Sequence, residues 1–134
     1  SIRLGMAFAS QEIIGLFNKV KYPYNINLLT QQQALELLKD PFRVEQWIKQ
    51  IRRERELMLP AFHELAICKQ VYPTAANFFL ALVTDAPAIY RYLISRGIVV
   101  RSRHRIALCG NCLRVTIGTH QENIELLSAL RNYQ

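Results

Sequence analysis

Apolar positions recur at helical spacing over much of the first half of the chain. Residues 11–20 predict a short amphipathic helix, and apolar side chains repeat every three or four positions from 41 to about 65. Asp40 followed by Pro41 is a typical start for this long helix, because aspartate caps it and proline is tolerated at its first position. Pro60 lies inside the pattern and predicts a kink or a break.

Two further helices are predicted from capping boxes, in which a threonine is followed three residues later by a glutamine or glutamate. Thr30 with Gln33 predicts the start of a second short helix, and Thr119 with Glu122 predicts the start of the last one. The apolar spacing of the last helix predicts that three of its residues are buried: Ile124, Leu127 and Leu130.

Alternating apolar positions and short apolar runs predict five strands, at 2–9, 69–72, 76–84, 98–104 and 113–118. A helix capped by Asp85 and closed by Gly97 separates the third strand from the fourth. The order β-β-α-β-β-α in the second half predicts an α+β domain, with a small, mostly antiparallel sheet and helices on one face. The first strand and helix do not fit that layer and are typical of the end of another domain.

Length and composition are those of a globular protein. The chain has 134 residues, of which 51% are hydrophobic, enough for one domain with a core. No apolar run approaches the length of a membrane span, and the first ten residues lack the regions of a signal peptide. We therefore expect a soluble, cytoplasmic protein without a membrane partner.

The formal net charge of +7 raises the possibility of a phosphate or nucleic-acid partner. Residues 52–56, RRERE, interleave both signs, which predicts a solvated helix face, whereas residues 101–105, RSRHR, concentrate positive charge. One hypothesis is therefore a stand-alone basic module that binds a polyanion. Against it, most aromatic residues fall on apolar faces and are expected in the core: Phe17, Trp47, Phe62 and Phe78.

The three cysteines do not form a disulfide framework, since their number is odd. Cys109 and Cys112 make one C-x-x-C pair, but a zinc site would need two more ligands. His104 and His120 are the nearest candidates and belong to no recognised ligand pattern. Reduced thiols that pack in the fold are the expected state, without a metal.

Arginines placed within strands are the clearest chemical feature. Arg114 lies in the middle of the last strand and Arg101 in the strand before it, so a hairpin could bring the two side chains together. Two guanidinium groups suit a carboxylate or a phosphate, because each offers a planar pair of donors. For Arg103 and Arg105 we expect solvated side chains or salt bridges. No motif for a nucleophile, a phosphate loop or a zinc protease is present.

Several segments resemble the C-terminal third of histidinol-phosphate aminotransferases, which are pyridoxal-phosphate enzymes of fold type I. These segments are RLGMAFA, NKVKYPYNINLLTQQQAL, ANFFL, GIVVRSRH and CLRVTIGTHQEN. The match runs from end to end, in order and spacing. Related branches, including threonine-phosphate decarboxylases, share much of it. The implied activity converts L-histidinol phosphate and 2-oxoglutarate to imidazole acetol phosphate and L-glutamate in histidine biosynthesis.

The resemblance implies roles for three arginines. Arg3 would bind the phosphate of pyridoxal 5'-phosphate, and Arg101 and Arg114 would bind the anionic end of the substrate. The Schiff-base lysine of the family would lie upstream of this chain, which would be inactive alone. The intact family is homodimeric.

The resemblance also divides the chain into three parts. Residues 1–28 would be the end of the large cofactor-binding domain, 29–65 the helical segment between domains, and 66–134 the small C-terminal domain. A strand at 2–9 would lack its sheet neighbours in this chain, so we expect residues 1–28 to be disordered, rearranged or paired with another copy.

Overall fold

The computed structural model describes residues 3–133, which form an α+β fold. The helices are α1 (Gln11–Val20), α2 (Leu28–Leu38), α3 (Pro41–His63), α4 (Ala86–Ser95) and α5 (His120–Arg131). The strands are β1 (Cys68–Val71), β2 (Phe78–Val83), β3 (Arg101–Ser102) and β4 (Cys112–Thr116). The chain divides into two compact units, one ending at Glu45 and the other beginning at Gln46.

In the first unit, both short helices begin at a capping side chain. Ser10 Oγ accepts a hydrogen bond from the backbone N–H of Ile13, which caps α1 where the sequence predicts its start. In α2, Asn27 Oδ1 accepts from the backbone N–H of Thr30 at 2.8 Å, so the helix begins at Leu28. The predicted capping box at Thr30 is therefore wrong, because a better cap stands three residues earlier.

The predicted strand at 2–9 is wrong for the residues that the structure describes. Residues 3–10 form no strand and are exposed, whereas Ile2 lies outside the described residues. A strand needs a neighbour for its backbone hydrogen bonds, and no segment within 3–133 pairs with this one. Neither α1 nor α2 has a buried residue, and Phe17, expected in the core, is 51% exposed.

The long helix α3 begins where the sequence predicts and ends at His63. Asp40 Oδ1 accepts a hydrogen bond from the backbone N–H of Arg43 at 3.0 Å. The helix is not broken at Pro60, which is exposed, and the backbone N–H of Glu64 donates to the Pro60 carbonyl at 3.1 Å. None of the helices within residues 3–133 is both long and apolar enough to cross a lipid bilayer.

The second unit contains a four-stranded sheet in the order β1-β2-β4-β3, in which every neighbouring pair is antiparallel. Phe79 pairs with Val115 and Ala81 with Leu113, and all four are buried. The strand predicted at 98–104 is much shorter, because β3 pairs with β4 at only two positions.

One apolar core joins this sheet to α3, α4 and α5. The Phe62 ring meets the edge of the Phe79 ring, with 5.0 Å between the centroids. Of the residues predicted to be buried in α5, Leu127 and Leu130 are buried but Ile124 is 47% exposed. Trp47 is also partly exposed rather than in the core.

Candidate anion-binding site

The hairpin of β3 and β4 places two arginines directly opposite each other. Arg101 pairs with Arg114 in the antiparallel register, one position before Ser102 pairs with Leu113. Directly opposed residues of an antiparallel pair project from the same face, with Cβ atoms about 5 Å apart. The hairpin therefore makes Arg101 and Arg114 register partners, as predicted, and the convergence of their side chains on one anion stays a prediction.

Arg114 lies on the sheet face that points away from the apolar core. Its chain neighbours Leu113 and Val115 are buried in that core, and side chains alternate along a strand. On β2, Leu80 stands opposite Arg114, and the Phe78 ring lies diagonally across the same face. The Arg114 Cζ atom is 4.9 Å from the centroid of the Phe78 ring, which is a cation–π contact.

Arg114 has no hydrogen-bond acceptor for its buried Nε atom among the described residues. Burial lowers the pKa of its guanidinium, and the positive charges of Arg103 and Arg101 add to that effect. Within residues 3–133, no ion pair is found for Arg101, Arg103 or Arg114, so no carboxylate neutralises these arginines. A buried donor without an acceptor is uncommon and costs free energy.

The other arginines singled out by the sequence lie in different surroundings. Arg103 is half-buried and forms no ion pair within the described residues, so the expected salt bridge is not seen there, whereas Arg105 is exposed as expected. Arg3 belongs to the first unit, is exposed and has a φ of 55°. Its role in binding the cofactor phosphate stays a prediction.

The cysteines near the hairpin are free thiols. Burial, followed by the effect of neighbouring Cys109, raises the pKa of the Cys112 thiol. His104 Nδ1 lies 2.7 Å from Ser102 Oγ. No group of three or more side chains suited to a metal ion occurs within residues 3–133.

A buried carboxylate network lies in the same unit and contradicts one prediction. Glu54, expected on a solvated face, is only 6% exposed. Its Oε2 atom accepts a hydrogen bond from Asn123 Nδ2 at 2.9 Å, and its Oε1 atom lies 3.2 Å from His120 Nδ1. The bond from Asn123 lowers the pKa of the Glu54 carboxyl, with help from His120 and against the effect of burial. Helical spacing could have revealed this position, since Glu54 lies one turn before the buried Met58.

The network also fixes the start of α5. Asn123 Oδ1 accepts a hydrogen bond from the backbone N–H of Gly118 at 3.0 Å, so one side chain joins α3 to the turn before α5. A Cβ atom at Gly118 would lie 2.8 Å from Glu122 Oε2, which the capping box holds in place, and 3.0 Å from Glu122 Cβ, so a larger residue there would disturb the cap.

Two cavities of the second unit lack the lysine that a Schiff base requires. One, of about 380 Å³, lies between the segment before β3, the end of β4 and α5, and its polar lining includes Glu122, Asn123 and Glu125. The other, of about 210 Å³, is lined by residues of α3 and of 75–77. Neither has a lysine in its lining, so neither fits a cofactor held as a Schiff base.

Comparisons with known proteins agree on one family. The family described as "Aminotransferase class I and II" matches residues 1–130. A histidinol-phosphate aminotransferase of Bacteroides fragilis is 58% identical over all 134 residues, and one of Bacteroides thetaiotaomicron is 55% identical over the same length. This chain spans 39% of the length of each of these relatives.

A solved structure shows a similar fold. The crystal structure of the histidinol-phosphate aminotransferase from Clostridium acetobutylicum matches with a TM-score of 0.80 and 27% sequence identity. The match covers 90% of this chain and 37% of that one.

Proposed function

Because the chain belongs to the class I and II aminotransferases, we propose that the full-length protein transfers an amino group between L-histidinol phosphate and 2-oxoglutarate. The products are imidazole acetol phosphate and L-glutamate, in histidine biosynthesis. The two Bacteroides relatives, named histidinol-phosphate aminotransferases, support this choice of substrates. They do not favour a threonine-phosphate decarboxylase or a stand-alone polyanion-binding module.

The opposed, unpaired arginines are the observation that best supports an anionic substrate. Like charges directly across a pair of strands destabilise a sheet, and no carboxylate within residues 3–133 offsets Arg101 and Arg114. A phosphate or carboxylate between the two guanidinium groups would accept charge-assisted hydrogen bonds from both. We propose that this pair holds the anionic end of the substrate and so orients the reacting amino group.

Pyridoxal 5'-phosphate is the cofactor that we propose for the full-length protein, on the basis of its family. The two cavities described above do not fit this cofactor by themselves, since no lysine lines either of them. We propose that the Schiff-base lysine of the full-length protein lies in the region that corresponds to the part of the relatives not spanned by this chain. Arg3 is proposed to contact the cofactor phosphate, in a cytoplasmic homodimer.

The division of the chain stays part of the same proposal. Residues 1–28 would complete the large domain, 29–65 would connect the domains, and 66–134 would form the small domain with the arginine pair. The antiparallel sheet and the similarity to the Clostridium enzyme support an aminotransferase fold for these residues.

The substitution Arg114→Met in the full-length protein tests the proposed substrate site. We expect kcat/KM for L-histidinol phosphate to fall about 10- to 100-fold, because a charge-assisted hydrogen bond is worth roughly 1.5–3 kcal/mol. Bound cofactor, measured by its absorbance, should be unchanged. The free energy of unfolding without substrate should be unchanged or higher, since a buried donor without an acceptor is removed.

The matched control is Arg105→Met, which removes an exposed arginine close to the hairpin. It should leave kcat/KM within about twofold, because an exposed charge is well screened. Unchanged kinetics in Arg114→Met, with substrate turned over normally, would contradict the assignment of the site.

A further inference from the structure

Arg103 continues the row of arginines on the hairpin. Its backbone N–H donates to the Cys112 carbonyl at 2.8 Å, one step beyond the pair formed by Ser102 and Leu113. Alternation along the chain then places Arg103 on the same face as Arg101, two residues away. Ser102 points the other way, and its hydroxyl oxygen lies 2.7 Å from His104 Nδ1, which is consistent with this alternation.

The charge of Arg103 acts on the arginine pair and is not neutralised there. Arg103 is half-buried and has no ion pair within the described residues. After burial, Arg103 is the largest cause that lowers the pKa of the Arg114 guanidinium, ahead of Arg101. Three positive charges therefore act at one sheet face. An anion bound there gains more electrostatic stabilisation from three charges than from two.

We propose that Arg103 is a specificity-determining residue that favours a doubly charged phosphate over a carboxylate at the Arg101–Arg114 pair. This inference rests on the proposed function. A carboxylate carries one charge on two oxygens, and two guanidinium groups would already offset that charge. A phosphate monoester carries nearly two charges and offers a third acceptor oxygen, so a third cation at Arg103 would stabilise the phosphate more than the carboxylate.

The proposed reaction makes such discrimination useful. One substrate ends in a phosphate and the other in a carboxylate, and both would use the same arginines in turn. A third cation would strengthen binding of the phosphate substrate with little effect on the dicarboxylate. Arg103 would in this way set the ratio of the two specificity constants.

The test compares full-length protein with Arg103→Gln, and with Arg105→Gln as the control from the same segment. We expect kcat/KM for L-histidinol phosphate to fall about tenfold in Arg103→Gln, mainly through KM, and that for 2-oxoglutarate to change less than twofold. Arg105→Gln should change neither. Arg103→Lys, which keeps the charge, should recover most of the preference for phosphate.

A pH profile of inhibition by methyl phosphate adds a readout that a purely structural role would not change. Phosphate monoesters gain their second charge near pH 6, so inhibition of the wild type should strengthen from pH 5.5 to 7.5. In Arg103→Gln this strengthening should be several-fold smaller.

An equal loss for both substrates, no loss for either, or an unaltered inhibition profile would overturn the role of Arg103. Failure of Arg103→Lys to recover any preference would overturn it as well. Two other results would count against the proposed function itself. These are a wild-type protein that does not turn over the phosphate substrate, and an Arg114→Met variant with normal kinetics.

Discussion

Two charged residues of the second unit show how differently a fold can treat a buried charge. Glu54 is enclosed with its own donors, because Asn123 and His120 reach its two oxygens. Arg114 is half-buried, but its Nε atom is buried without an acceptor within residues 3–133, and two further positive charges act on it. Burial without compensation is costly, so such an arrangement is usually retained for a function and not for stability. The contrast supports the proposed ligand-binding role of Arg114 and a structural role of Glu54.

The role of Glu54 in stability can be measured through pH. Its pKa is lower in the folded chain than the ordinary value of 4.5, so its ionised form stabilises the fold above that pH. The contribution is lost as the pH falls through the folded value. We expect Glu54→Gln to lower the free energy of unfolding by about 1–3 kcal/mol at pH 7, and by progressively less below pH 4.5.

Urea denaturation of the wild type and of Glu54→Gln between pH 3.5 and 7 would measure this difference. Glu56→Gln is the matched control, since Glu56 is an exposed carboxylate on the same helix, and its effect should stay within about 0.5 kcal/mol. A difference between wild type and Glu54→Gln that does not vary with pH would contradict an ionised Glu54 in the network.

At the scale of elements, local caps decide where the helices begin. The capping box of α5 is confirmed, since Thr119 Oγ1 accepts from the Glu122 backbone N–H and a Glu122 side-chain oxygen accepts from the Thr119 N–H. Asp85 likewise caps α4 through the N–H of Ala88. Such starts are predictable because donor and acceptor lie within three residues of each other.

The cap of α5 can be tested by Thr119→Ala. We expect the free energy of unfolding to fall by about 1 kcal/mol, because the N–H of Glu122 loses its side-chain acceptor. Thermal or urea denaturation followed by circular dichroism would measure it. Ser128→Ala, at an exposed position inside the same helix, should have a much smaller effect. Equal effects of the two substitutions would show that the cap does not stabilise this helix.

The two strands that the sequence predicted wrongly are ones whose formation depends on distant segments. The strand predicted at 2–9 has suitable residues but no neighbouring strand within residues 3–133. β3 is shorter than predicted because only two of its residues pair with β4. Pairing of strands requires another part of the chain, which a local pattern does not describe.

At the scale of the whole molecule, the core belongs to one of the two units. Every buried apolar residue of the main cluster lies between Met58 and Leu130, whereas no described residue before Gln46 is buried. Burial of apolar surface is the main term that favours folding. The stability of the chain is therefore expected to come from the second unit.

Residues 46–134 produced alone should fold cooperatively. All residues of the core are retained, together with the Glu54 network and the arginine pair. We expect a single cooperative thermal transition by circular dichroism, and none from residues 1–45 produced alone. A gradual loss of signal from residues 46–134 would contradict an independent core in this unit.

Amino-acid pattern alone was sufficient for the helices, most of the caps, the antiparallel α+β domain and the pairing of Arg101 with Arg114. These features depend on periodicity and on contacts between residues that are near in sequence, as in the hairpin that joins β3 to β4. The burial of Glu54, the exposure of Ile124 and the loss of the first strand were settled only by the folded chain. Each depends on which distant segment packs against the residue. The free energy of that packing exists only once the core has assembled, so a local pattern does not contain it.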